Sequence, residues 1–237
     1  MTGGGMVYPG DAPITQNGHF YLFVDGKCTY YVYGRFDVQL STPTLATHSG
    51  KLNSDEAETL ARLSSLEDFD DGVYVRNLSD APNVVFWRQD ARVDLVSQGP
   101  ATSGETDESA LLAQRSSDLI EFMRGIYLAG SPLTGPIRLI AVEQPPDHVD
   151  PSVPRVTWPL DTPLHQVAVG YDEGAVEADE SFLIENDPGL ATLRSYREQV
   201  FSRIPQLLFV DSGDLTYSVH FRDALPFEDE EGFVRLE

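Results

Sequence analysis

Ser218, His220 and Arg222 alternate along Tyr217-Ser218-Val219-His220-Phe221-Arg222-Asp223. A strand turns successive side chains to opposite faces, so these three share one face and Tyr217, Val219 and Phe221 share the other. A hydroxyl, an imidazole and a guanidinium in one row suit a polar binding groove in which Arg222 engages a carboxylate. A half-buried strand with one wet face explains the same pattern with fewer assumptions. No second element in the sequence supplies the partner that would complete a nucleophilic triad.

The densest run of carboxylates is Glu67-Asp68-Phe69-Asp70-Asp71-Gly72. Calcium takes about six to eight oxygen ligands, and Asp68, Asp70 and Asp71 beside a glycine bend are the candidates to supply several of them. The twelve-residue calcium-loop pattern is not met, and a solvated helix end is the simpler reading. Asp211-Ser212-Gly213-Asp214 is a thinner instance that reads first as a hairpin turn. Asp147-His148-x-Asp150 offers oxygen and nitrogen donors inside a proline-rich loop, where solvated polar residues are the ordinary case. The histidines, His19, His48, His148, His165 and His220, show no metal-helix spacing.

Cys28 is the only cysteine, which excludes an intrachain disulfide and leaves the redox compartment open. Within Lys27-Cys28-Thr29-Tyr30-Tyr31-Val32-Tyr33 it reads as a buried, inert thiol. Asn77-Leu78-Ser79 is a glycosylation sequon, meaningful in a eukaryotic secreted protein. The Gly-x-Ser-x-Gly elbow, the His-Glu-x-x-His zinc helix, the phosphate loop and the dinucleotide glycine fingerprint are all absent, which lowers the expectation of an enzyme.

Charge narrows the partners. Thirty-eight acidic residues face sixteen basic ones in 237 residues, a formal net charge of −22, and only Lys27 and Lys51 are lysines. Such a field repels DNA, RNA and anionic membranes, which are held by clustered Lys and Arg. Three readings are open: adaptation to a salty or extracellular medium, a site for calcium or a basic protein surface, and an acidic decoy for DNA. Codon bias in a GC-rich bacterial genome would also lower the lysine count. No apolar run is long enough to cross a membrane as a helix.

The elements that must position these residues are set by pattern. His19 to Val24 and Cys28 to Tyr33 are rich in aromatic and β-branched residues, and Asp25-Gly26 between them is expected to supply the positive φ of a tight hairpin turn. Phe36 to Leu40 reads as a further strand. Leu52, then Asn53 with Glu56 as a capping box, open a helix with its apolar stripe at Ala57, Leu60, Leu63 and Leu66. Val73 to Arg76, Asn83 to Trp87 and Val93 to Val96 read as strands. The longest helix should run from Glu108 to Ala129, with Gly130 as a left-handed stop. Ile137 to Val142 reads as a buried strand, Gln144 to Pro159 as a loop or lobe boundary, and Leu164 to Val169 as a strand. Asp187-Pro188 starts a helix that continues to Phe201.

The hairpin around Asp25 has an echo near the C-terminus. Leu208-Phe209-Val210-Asp211, a turn one residue longer, and Thr216-Tyr217-Ser218-Val219 repeat its residue types. Chance similarity of two hairpins explains this, and an internal duplication that makes them related edges or neighbours in a sheet is the alternative.

These patterns predict an α+β chain with mainly antiparallel sheet built from β-hairpins and about three helices. Residues 1–18 read as a flexible tether, 19–235 as one domain with a lobe boundary in the Pro-rich loop 144–159, and 236–237 as the remnant of a tag junction. The glycine-rich start resembles the tether left behind when a leader is removed, so an extracytoplasmic location is expected. The expected function is non-catalytic binding through an acidic surface to a basic protein, without nucleic acid, membrane insertion or a cofactor other than calcium. The alternatives are a motif-poor hydrolase using Asp and His, and a DNA mimic.

Overall fold

The computed structural model describes residues 21–34, 46–65, 67–76, 84–88, 91–97, 106–145, 149, 152–169, 182–203, 208–210 and 215–226. The expected strand Phe36–Leu40, Leu66 and the Asp147-His148-x-Asp150 group lie outside these residues.

The described residues begin with the expected hairpin, β1 (Tyr21–Val24) and β2 (Thr29–Tyr33), whose antiparallel register sets Leu22 opposite Val32 and Val24 opposite Tyr30. β3 (His48–Lys51) pairs with β2, and Asn53 and Glu56 then exchange reciprocal cap bonds of 2.8 and 2.9 Å to start α1 (Ser54–Leu63). Leu60 and Leu63 are buried as the apolar stripe requires. β4 (Gly72–Arg76), β5 (Val84–Arg88) and β6 (Ala91–Ser97) form a separate three-stranded sheet ordered β4-β6-β5.

The long helix, α2 (Asp107–Ala129), begins one residue before its expected start, capped by a reciprocal Thr106–Ser109 pair. It ends at Gly130, but not through a left-handed glycine: Gly130 is extended, with φ −79° and ψ 173°. Glycine is required there by proximity, since a Cβ would stand 2.9 Å from the Tyr30 phenol oxygen and 3.1 Å from the Ser49 carbonyl. β7 (Ser131–Pro132) closes the first sheet, ordered β1-β2-β3-β7.

A six-stranded sheet then forms from β8 (Ile137–Gln144), β9 (Arg155–Thr157), β10 (Ala168–Val169), β11 (Phe182–Ile184), β12 (Leu208–Val210) and β13 (Thr216–Asp223). Its path is β10-β8-β13-β12-β9, with β11 also on β8. The helices α3 (Leu164–Val167) and α4 (Leu190–Arg203) belong to the same half. Among the described strands three pairings are parallel, β4 with β6, β10 with β8 and β12 with β9, and the remainder are antiparallel, so the class is α+β as the sequence implies.

Two segments differ from expectation. Leu164–Val169 is not one strand, since its first four residues make a single helical turn. Leu164 and Val167 are buried while His165 and Gln166 are exposed, which is helical spacing. Pro163 precedes them with φ −65°, and Asp187 takes the N–H groups of Asp161 and Thr162, which shapes the entry. The segment Gln144–Pro159 contains β9, paired in parallel with β12, and Trp158 packs edge-on against Phe209 with ring centroids 5.3 Å apart.

The two echoed hairpins both form, yet in different sheets and in different registers. Val24 faces Tyr30, whereas its counterpart Val210 faces Thr216, the counterpart of Thr29. The longer second turn shifts the pairing by one residue, which exchanges the faces of the first strand: Leu22 enters one core, Phe209 the other. The likeness is one of composition, and the hairpins are not neighbours in a sheet.

Candidate functional site

β13 is an interior strand of the six-stranded sheet, and its alternation is as expected. Tyr217, Val219 and Phe221 are buried in the core, while Ser218 and Arg222 on the other face are half-buried. Pairing with β8 sets Ser218 opposite Val142, His220 opposite Ile140 and Arg222 opposite Arg138. Ser218 Oγ accepts a hydrogen bond of 3.0 Å from Gln144 Nε2, and the Arg222 guanidinium donates to the Asp223 carbonyl oxygen at 3.3 Å. The His220 side chain lies outside the described residues. At about 3.4 Å of rise per residue, Ser218 and Arg222 stand roughly 14 Å apart along the strand.

The most tightly held polar group is one residue further on. Asp223 is 1% exposed, and its carboxylate accepts from the Thr47 N–H at 2.9 Å and from Arg194 Nε at 3.0 Å. Arg194 also donates to the Gly135 carbonyl at 2.6 Å and the Thr134 carbonyl at 3.5 Å. Thr47, wholly buried, joins its Oγ1 to the Tyr21 hydroxyl at 2.7 Å. Burial pushes the Tyr21 phenol well above its ordinary pKa, against the opposing pull of the Arg222 guanidinium. This junction draws on β1, β13, α4 and the residue just before β3. The sequence carried a signal for it: strand alternation puts Asp223 on the same face as Tyr217 and Phe221, and a carboxylate on an apolar face must be paired.

The acidic run after α1 is arranged as a helix end. Asp68 accepts a 2.8 Å bond from Arg115 of α2, whose guanidinium also donates to the Ser65 carbonyl and lies 5.0 Å over the Phe69 ring. The Tyr74 hydroxyl bonds the backbone N–H and C=O of Asp70 at 3.1 and 3.2 Å. Asp70 and Asp71 are exposed. Among the described residues no three His, Cys, Asp or Glu side chains gather as metal ligands, so Asp68, Asp70 and Asp71 are not drawn into one cage.

The other chemistry-bearing residues are in structural positions. His48 stacks on Tyr127 at 3.9 Å, and its Nδ1 donates to the Tyr127 carbonyl at 2.7 Å at the C-terminus of α2. His165 is exposed on α3. Cys28 is half-buried against the first core with φ 61°, so it takes the left-handed position in the hairpin turn that Asp25-Gly26 was expected to provide. Asp25 serves that turn differently. Burial raises its carboxyl, but N–H bonds of 2.8 Å from Thr29 and Lys27 outweigh this and hold it below the usual carboxylate range.

The outer surface carries the charge. Asp55 and Glu58 on α1, Glu67 after it, and Asp107, Asp118 and Glu121 on α2 are exposed. Among the described residues no helix is long and apolar enough to cross a membrane. No protein-family model matches the chain, and no curated protein or solved structure matches it either.

Proposed function

We propose that this chain is a non-catalytic binding protein that works outside the cytoplasm and engages a basic protein surface through its carboxylates. The observation that carries this reading is the inward turn of three arginines on a chain already short of positive charge. Arg138 is 1% exposed, and the side chains of Arg194 and Arg115 are 14% and 16% exposed. Arg62 and Arg155 remain exposed, while Arg138 is buried and the half-buried Arg115 and Arg194 are each paired with an aspartate, which leaves less positive charge to offset the acidic surplus. Rows of like charge steer oppositely charged partners and speed their encounter.

The test is titration of an arginine-rich peptide against the full chain across a series of NaCl concentrations. Affinity is expected to fall steeply as salt screens the surface, and to weaken further when Asp55, Glu58, Asp118 and Glu121 are replaced by their amides. Binding that ignores salt, or that is unchanged by the four amides, overturns the electrostatic reading.

A further inference from the structure

Two hydrophobic clusters lie among the described residues, while buried Phe23, Ala46, Ile140, Leu208 and Leu225 belong to neither. One cluster draws only on residues between Leu22 and Tyr127, the other only on residues between Ile137 and Phe221. The chain passes between them through 128–136, and the polar junction around Asp223 sits where the halves meet. Thr47, which precedes β3 in the first half, is held at both backbone groups: its N–H donates to Asp223, and its C=O accepts from the Leu133 N–H at 2.8 Å. Arg194, on α4 of the second half, donates to the other oxygen of Asp223 and to the connector carbonyls of Thr134 and Gly135. The Ala224 N–H bonds the Pro136 carbonyl at 3.0 Å beside them.

The two clusters share no side chain, so contacts outside them contribute to any common opening. A buried carboxylate with donors from both halves is one such contact, because opening either half breaks a charge-assisted hydrogen bond to it. We infer that the Asp223 carboxylate is a latch that makes the two separately cored halves open as one cooperative unit. Asp223 is within the second half's strand, Thr47 at the edge of the first half's sheet and Arg194 on α4. One carboxylate thus ties β13 and α4, which the second cluster already joins, to a segment of the first half.

Hydrogen exchange on the full chain, read by peptide, tests this. In the wild type the slowest amides of β2 and α2 are expected to share one opening constant with those of β8 and β13, and to respond alike to denaturant. Asp223→Asn keeps the shape but turns an amide N–H toward one of two fixed donors. The opening constants of the halves should then separate by about tenfold or more, the worth of one charge-assisted hydrogen bond. Halves that already differ in the wild type, or that accelerate equally in the variant, overturn the latch. Should Asp223→Asn fail to fold, Arg194→Lys keeps the charge but cannot reach Asp223 and both connector carbonyls at once. The halves should separate in the same direction by less, and unchanged or equal acceleration in both halves is the contrary result.

Discussion

Cys28 holds a conformation that its side chain does not favour. With φ 61° it closes the turn between β1 and β2, its N–H bonded to the Asp25 carbonyl at 3.0 Å and its own carbonyl accepting from Leu52 at 2.9 Å. Both bonds require the backbone to pass through the left-handed region, where a Cβ costs about 1–2 kcal/mol. Asp25 makes the arrangement persist by accepting the Lys27 and Thr29 N–H groups with one oxygen. The outcome expected from chemical denaturation is therefore asymmetric. Cys28→Gly should unfold no more easily than wild type, while the branched Cys28→Val should lose about 1 kcal/mol or more. Equal stability of the two variants would mean that the turn does not depend on this angle.

At the scale of elements, a phenol joins the first sheet to α2 alongside the His48–Tyr127 contact. The Tyr30 hydroxyl donates to the Ile126 carbonyl at 2.8 Å, beside the last turn of the helix, and burial raises its pKa above the ordinary value. Two glycines make room for it. A Cβ on Gly50 would collide with the phenol oxygen and lie 2.6 and 2.8 Å from two ring carbons, and Gly130 is nearly as close. Tyr30→Phe should cost about 1 kcal/mol, because the Ile126 carbonyl keeps its bond from Gly130. Gly50→Ala should cost more, about 1–3 kcal/mol, since it overfills a packed contact. The clash involves ring carbons as well as the oxygen, so the double variant should not recover wild-type stability. Recovery in a double-mutant cycle would show that the oxygen alone sets the spacing.

For the whole molecule, charge acts against compaction. A formal charge of −22 repels itself in the folded state, and added salt screens that repulsion. Each kcal/mol of relief raises Tm by about 2–4 °C for a chain of this size. Melting curves in NaCl, MgCl2 and CaCl2 matched for ionic strength should rise together. A rise specific to calcium would instead show mass action at a folded-state site and would assign one of the acidic runs to a cation.

The fold class and most elements were legible because they rest on local patterns. Asn53 with Glu56, the stripe of α2, the aromatic hairpin and the apolar run from Ile137 each carry their signal within a few residues, where capping and periodicity operate. Leu164 to Val167 reads as a strand in sequence because four apolar-flanked residues are too few to separate the two periods, and only the burial of both ends decided it. Cys28 took the positive φ expected of Asp25-Gly26, and Gly130 is extended where a left-handed stop was expected, since which glycine makes room for Tyr30 depends on a strand far away in sequence. The alternation along Tyr217 to Asp223 determined by itself that Ser218 and Arg222 share a face. It could not name Thr47 and Arg194 as the donors to Asp223, nor show which apolar residues gather into each of the two clusters. Periodicity is a property of neighbours along the chain, whereas a buried charge is satisfied by whatever groups the folded chain brings to it.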